Sequence, residues 1–149
     1  MTTAVPEEVR RAALLRTAQQ IDYLDYRRTL RVIKAKGYSQ RTVAQGLNIS
    51  QPALSQQFKG VDEVAEPQPG FSGAGPYEIC QRYAIGQLSR AELIDELIRW
   101  PYAPSDTTDG VDTLLIDPPG SWDEVEQACD RGLIDGQIYD EVLDRIAID

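Results

Sequence analysis

The chain has 149 residues, of which 42% are hydrophobic and 26% charged, and its formal net charge is −9. This length and composition suit one globular domain or two small ones and exclude an intrinsically disordered chain. No apolar run is long enough for a membrane span, and we expect no signal peptide because the charged-then-apolar order is missing. Two cysteines cannot form a disulfide framework, so we expect a reduced, cytoplasmic protein.

The sequence contains no histidine. This removes the commonest general base and the commonest metal ligand together. A Ser or Cys nucleophile would lack its usual base, and the glycine-rich residues 70–75 lack the strand and the Lys-Ser/Thr pair of a phosphate loop. We therefore expect no enzymatic activity, no metal site and no cofactor.

Charge is distributed unevenly between the two halves of the chain. Residues 1–60 contain ten Lys and Arg residues against four Asp and Glu residues, a local charge of +6, whereas residues 61–149 carry −15. Such asymmetry indicates a polyanion as the partner of the first half and a different, basic partner for the second half. The alternative is two solvated surfaces of unlike composition.

A segment rich in Pro and Gly separates the two halves. Pro blocks a helix and Gly weakens any regular element, so residues 61–76 are predicted to be a linker. It divides an N-terminal domain over residues 1–60 from an acidic C-terminal domain over residues 77–149. The periodicity described below makes both domains all-α.

The first helical pattern lies within residues 6–36. Pro6 suits a first helical turn, apolar residues recur at steps of three and four, and the pattern ends at Gly37. The pattern leaves open whether this is one bent helix or two helices with a break near Asp22. The arginines of its second half are expected to be solvated rather than to steer DNA: Arg27, Arg28 and Arg31.

Two short helices joined by a tight turn are predicted over residues 39–59. Ser39 and Ser50 can each cap one of them, and the first ends near Leu47. Asn48 suits the turn because Asn tolerates left-handed backbone angles. Apolar residues form a wedge between the helices: Val43, Leu47, Ile49, Leu54 and Phe58.

Residues 37–60 resemble the helix-turn-helix of phage-repressor-like (Xre-type) regulators, and residues 49–55 are also similar to LysR-type regulators. The turn departs from the family at Asn48, where Gly is most frequent. The resemblance implies that the second helix lies in the major groove of double-stranded DNA, with its N-terminal end nearest the bases. The alternative is a helical hairpin that binds no nucleic acid. The implied DNA contacts are Arg41, Ser50, Gln51, Ser55, Gln56 and Lys59.

Two similar helical hairpins are predicted in the acidic half. Residues 77–98 align with residues 122–143 without a gap, and the apolar register is kept. This similarity is typical of either a true repeat or a generic hairpin consensus. Each unit has a Gly stop, Gly86 or Gly132, between its helices. The turns carry predicted buried leucines, Leu88 and Leu133, and predicted capping boxes, Ser89–Glu92 and Ser121–Glu124.

The segment between the hairpins begins with aromatic residues and is otherwise rich in Asp, Thr and Pro. Trp100 and Tyr102 are expected either to close the core or to form exposed anchors. Val111–Ile116 is expected to be a short strand or an extended cover over the core, ended by two prolines. No calcium loop is expected around Asp109, because Ser, Thr and Ile occupy three of the ligand positions.

These features predict a dimeric DNA-binding transcriptional regulator. A small helix-turn-helix protein with an acidic second domain is similar in architecture to the antitoxins of toxin–antitoxin operons, which repress their own promoter and cover a toxin. A homodimer would bind inverted half-sites about one helical turn, roughly 34 Å, apart. The alternatives are a plain dimeric repressor whose second domain dimerises or senses a ligand, and a protein-interaction adaptor that binds no DNA.

A basic partner protein, such as a toxin, is expected to bind the polar faces of the second helix of each hairpin. A partner that neutralises these acids would relieve their mutual repulsion, and aromatic anchors would supply interface energy. The candidate contacts are Glu92, Asp95, Glu96, Asp140, Glu141 and Asp144, with Trp100 and Tyr102 as anchors.

Overall fold

A computed structural model describes residues 4–103 and 120–148. Every regular element in these two ranges is a helix, which confirms the predicted all-α class for them. An isolated bridge pairs Ala103 with Ser121, and no helix of the described part combines the length and apolarity that a bilayer span requires. The strand expected at Val111–Ile116, the two prolines after it and the acidic residues around Asp109 lie outside the described residues.

Residues Glu7–Lys36 form a single helix, α1, which answers the question of one helix or two. The carbonyl of Pro6 accepts hydrogen bonds from the amides of Val9 and Arg10, both at 3.0 Å. Acidic residues in the first turn and lysines in the last complement the helix dipole. The helix ends before Gly37, whose φ of 73° is left-handed.

The chain divides into two compact units. The first, called the helix-pair unit here, comprises Gln19–Glu66. The second, called the hairpin unit, comprises Met1–Ala18 together with Pro67–Asp149.

The helix-pair unit is built around helices α2 (Gln40–Leu47) and α3 (Gln51–Phe58). Their apolar faces close on the second half of α1. The predicted wedge forms, with Leu47 and Ile49 half-buried at its edge. The buried members of this core are Leu30, Val43, Ala44, Leu54, Phe58 and Val61.

The residues that follow α3 pack against α1 rather than leave it. A short 3-10 helix, Val61–Glu63, buries Val61 completely, and Val64 is 7% exposed. The guanidinium of Arg28 donates to the carbonyl of Ala65 from Nε at 3.1 Å and Nη2 at 2.9 Å. The first residues of the Pro- and Gly-rich segment therefore carry tertiary contacts that composition does not predict.

The expectation that the arginines of α1 are solvated is wrong for Arg28, which is 9% exposed. Its neighbours also bind the segment after α3: Arg31 donates to the carbonyl of Val64 at 2.9 Å and Arg27 to that of Gly60 at 3.1 Å. Carbonyls left free by a non-helical segment need donors, and guanidinium groups on the facing helix supply them.

The hairpin unit contains four helices: α4 (Pro76–Ala84), α5 (Arg90–Arg99), α6 (Asp123–Asp130) and α7 (Gly136–Ile148). Helix α4 packs on α5 and α6, and α7 packs on α5 and α6. The first helices of the two hairpins start at corresponding positions to within two residues, as do the second helices. The fully buried side chains of this core are Ile79, Cys80, Leu93, Leu97, Val125, Ala128, Ile138 and Val142.

The turns of the hairpins follow the prediction in part. Gly86 and Gly132 have φ of 89° and 78°, as expected of helix stops. The predicted burial of Leu88 and Leu133 is wrong, since both are half-buried at the edge of the core.

One of the two predicted capping boxes forms. Ser89 Oγ accepts from the amide of Glu92 at 3.1 Å, and the Glu92 carboxylate accepts from the amide of Ser89 at 3.0 Å. The second box is wrong, because α6 starts after Trp122 without a side-chain cap. The Glu124 carboxylate accepts instead from the amides of Tyr77, at 3.1 Å, and Gly120.

Candidate functional site

Helix α3 is held by local interactions at its start. Ser50 has extended backbone angles (φ −74°, ψ 157°), and its Oγ accepts from the amide of Ala53 at 3.2 Å. Ser39 does the same for α2 by accepting from the amide of Thr42 at 3.1 Å. Pro52 lies in the first turn of α3, where its missing N–H is not needed. Both caps and the bounds of both helices agree with the sequence prediction.

The turn between α2 and α3 depends on one left-handed residue. Asn48 has φ 59° and ψ 41°, and it is the one non-glycine residue with positive φ in the described ranges. Its amide donates to the carbonyl of Gln45 at 3.2 Å, and the amide of Ile49 donates to that of Ala44 at 3.0 Å. These bonds satisfy the last carbonyls of α2 and set the direction in which α3 leaves.

Replacing Asn48 by Ala is expected to destabilise the chain by about 1 kcal/mol, because Ala pays the steric cost of left-handed angles without the local hydrogen bonding of Asn. Asn48→Gly is the matched variant and should be at least as stable as the natural chain, since Gly adopts these angles freely. Urea unfolding followed by circular dichroism measures both. Equal stability of the two variants would contradict the role given to the left-handed angles.

The outward face of α3 is polar and exposed. Leu54 and Phe58 are buried, and the side-chain amide of Gln57 accepts from Tyr26 Oη at 2.5 Å. The remaining polar residues of α3 and its two caps point away from this core. All six predicted DNA contacts are exposed, five of them on α3 and its caps and one, Arg41, near the start of α2: Arg41, Ser50, Gln51, Ser55, Gln56 and Lys59.

This face carries no carboxylate. No Asp or Glu occurs between Asp25 and Asp62 in the sequence, so α2, α3 and the turn between them are neutral to basic. Glutamine amides can pair with adenine through two hydrogen bonds, and exposed Lys or Arg side chains bind phosphate oxygens. The arrangement is therefore able to bind a polyanion and to read base edges.

Some of the positively charged side chains of residues 1–60 are on α1 and make contacts within the helix-pair unit, not on the outward face of α3. Lys34 Nζ forms an ion pair with Asp62 at 2.9 Å, and the guanidinium groups of α1 described above bind backbone carbonyls. Sequence reasoning missed this role. The contacts join residues more than twenty positions apart, so no local pattern could reveal them.

The predicted partner-binding residues do not form one exposed surface. Glu96 is 6% exposed, and its carboxylate accepts from the amide and hydroxyl of Ser72 at 2.6 and 2.7 Å. Its predicted place on a polar face is therefore wrong, because those backbone and side-chain donors hold it inside. Glu141 is half-buried between Arg90 and Arg145, at 3.7 and 4.0 Å. The exposed members of the set are Glu92, Asp95, Asp140 and Asp144.

The two aromatic candidates pack inward. Trp100 is 7% exposed, its ring meets that of Phe71 edge-on at 4.9 Å, and its indole N–H donates to the carbonyl of Gly120 at 3.2 Å. Tyr102 is half-buried, donates to the carbonyl of Leu97 and meets the Trp122 ring at 5.2 Å. Of the two alternatives for these residues, the packing supports core closure.

The hairpin unit contains a buried ion pair that the sequence analysis did not predict. Arg82 Nε and Nη2 both lie 2.9 Å from the same carboxylate oxygen of Glu78, and the two side chains are 10% and 9% exposed. The other oxygen of Glu78 accepts from the amide of Ala74 at 3.0 Å. In the sequence, the only sign of this pair is that Glu78 and Arg82 are four residues apart. The same spacing of opposite charges is equally common on solvated helix surfaces.

The two cysteines are free thiols. Burial raises the pKa of Cys80 to about 12, with smaller contributions from nearby negative charge, and burial also raises the pKa of Cys129. Both thiols therefore stay protonated at neutral pH, which makes them weak nucleophiles and weak metal ligands. Among the described residues, no three His, Cys, Asp or Glu side chains are grouped so that they could hold a metal ion.

The outward face of α3 is the candidate functional site, because it is exposed, contains no acidic residue and begins at the Ser50 cap. Comparison of the chain with protein-family models, with curated proteins and with solved structures finds no match.

Proposed function

We propose that the chain is a sequence-specific DNA-binding transcriptional regulator that inserts α3 into the major groove. The observation that carries the proposal is the exposed face of α3, on which two glutamines and a lysine point away from the core, within a stretch (residues 26–61) that contains no Asp or Glu. The resemblance of residues 37–60 to phage-repressor-like regulators supports the same role. Gln51 and Gln56 would read bases, while Arg41 and Lys59 would bind phosphates.

Gln51→Ala and Gln56→Ala are expected to weaken binding to a selected duplex by about tenfold and to relax base choice at one position each. Selection from a random duplex pool supplies the target, and fluorescence anisotropy measures affinity for it and for an unrelated duplex. Gln45→Ala, an exposed glutamine of α2, is the matched control and should bind both as before.

Arg41→Ala and Lys59→Ala are expected to weaken all duplexes alike and to reduce the slope of log affinity against log salt by about one each. Glutamine variants that keep the natural preference would show that α3 is not the reading helix. A natural chain that binds no duplex even at low salt would refute the proposal as a whole.

We also propose, as the finer part of this function, that the chain is an antitoxin that autorepresses its operon and binds a basic toxin through its acidic half. Exposed carboxylates on α5 and α7 and the charge of −15 over residues 61–149 favour a basic partner. Co-expression with the products of the adjacent genes tests this. A co-purifying small basic protein that is toxic alone is expected, and recovery of the chain with only itself would leave the plain dimeric repressor.

A further inference from the structure

The first turns of α1 are exposed along their whole described length. Every described residue from Ala4 to Arg16 is exposed, and the apolar side chains of Val9, Leu14 and Leu15 are 52%, 46% and 55% exposed. Isolated helical segments of this length are marginal in water, and helices in proteins owe most of their stability to packing of an apolar face. The valine and leucine side chains on this N-terminal extension of α1 are therefore available to pack against another helix.

One face of this extension combines apolar and charged residues. At 3.6 residues per turn, Glu8, Val9, Ala12, Leu15 and Arg16 fall within an arc of about 120°. Leu14 lies outside that arc, on the opposite side of the helix.

The face is complementary to itself in the antiparallel direction. A two-fold axis through Ala12 brings together residues at equal distance on either side of it, so that Val9 meets Leu15 of the partner subunit and Glu8 meets Arg16 of the partner subunit. Within one helix, Glu8 and Arg16 are eight residues or about 12 Å apart, too far for an ion pair. The small side chain of Ala12 lets the two helices approach closely at the axis. Such a self-complementary patch is what a two-fold dimer requires.

We propose that residues 8–16 of α1 are a dimerisation surface whose occupant is the same helix of a second copy, packed antiparallel about Ala12. The Val9–Leu15 contact and the Glu8–Arg16 ion pair each form twice by symmetry. Charge order selects the antiparallel arrangement, because a parallel pair would place like charges opposite each other at both ends. This dimerisation is a separate property from the proposed DNA binding, and it can be tested without DNA.

The first test compares two neighbouring leucines in the full-length chain. Leu15→Asp is expected to weaken the dimer about a hundredfold, since the side chain is lost from both copies of the interface. Leu14, which is 46% exposed and lies outside the face, is the control, and Leu14→Asp should leave the dimer intact. Sedimentation equilibrium gives the dissociation constant, and circular dichroism checks that helix content is kept. A monomeric natural chain, or equal effects of the two variants, would overturn the proposal.

The second test reverses the charges. Glu8→Arg and Arg16→Glu should each weaken the dimer about tenfold, because each places like charges together at both ends of the interface. The double variant Glu8→Arg/Arg16→Glu restores opposite charges and should recover most of the natural affinity. Absence of this recovery would contradict the antiparallel pairing even if the leucine variants behave as expected.

Discussion

Replacing Arg82 by Met is expected to lower the free energy of unfolding of the hairpin unit by about 3–5 kcal/mol. The guanidinium makes both of its 2.9 Å contacts with one carboxylate oxygen of Glu78, and both side chains are nine-tenths buried. Removing the cation takes away a counter-charge that lies 2.9 Å from this buried carboxylate. The loss reflects this buried charge rather than the net worth of the pair.

Urea unfolding followed by tryptophan fluorescence isolates this effect, because both tryptophans of the chain, Trp100 and Trp122, belong to the hairpin unit. Arg145→Met is the matched control: Arg145 also lies four residues after a glutamate, but it is exposed and 4.0 Å from Glu141. It should cost less than about 1 kcal/mol. Equal losses in the two variants would show that burial does not decide the cost.

A double variant separates the missing cation from the missing volume. Glu78→Gln combined with Arg82→Met removes the buried charge while keeping an oxygen that can accept from the amide of Ala74. It should regain most of the stability that Arg82→Met loses, because a buried pair replaced by neutral groups is often nearly as stable. Failure to regain it would mean that the aliphatic and hydrogen-bonding roles of Arg82 dominate.

Leu54→Ala is expected to destabilise the helix-pair unit by about 2–5 kcal/mol. Leu54 is fully buried at the centre of the core between α1, α2 and α3, in the cluster that includes Leu30, Val43 and Phe58. Truncation loses the transfer energy of the removed carbons and leaves a cavity that three short helices cannot close.

Native-state hydrogen exchange of the amides in residues 40–58 measures this loss, since it reports on the helix-pair unit directly. Leu14→Ala is the control at a side chain that is 46% exposed and should stay within about 0.5 kcal/mol of the natural chain. If the two substitutions cost the same, the α2–α3 core does not hold α3 in place. The exposed face proposed to read DNA would then lack its rigid support.

Local interactions are the part of this protein that could be predicted from sequence. The caps at Ser39, Ser50 and Ser89 and the left-handed Asn48 each involve groups no more than five residues apart. Their outcome depends on the intrinsic chemistry of a short stretch of chain, so a single sequence carries the information. The exposed face of α3 follows from the same periodicity, because burying Leu54 and Phe58 turns the glutamines outward.

What only the tertiary structure decided is where long-range polar partners lie. The Glu124 carboxylate does not cap the helix at Ser121 as predicted but accepts from the amide of Tyr77, 47 residues away. The Glu96 carboxylate is buried and accepts from the amide of Ser72, 24 residues away. The guanidinium of Arg28 donates to the carbonyl of Ala65, 37 residues along the chain. A buried polar group goes wherever folding leaves an unsatisfied partner. The sequence by itself therefore determined the bounds and apolar faces of α2 and α3 and the caps at Ser39, Ser50 and Ser89. The packing of distant segments decided which charged side chains are buried and which are exposed.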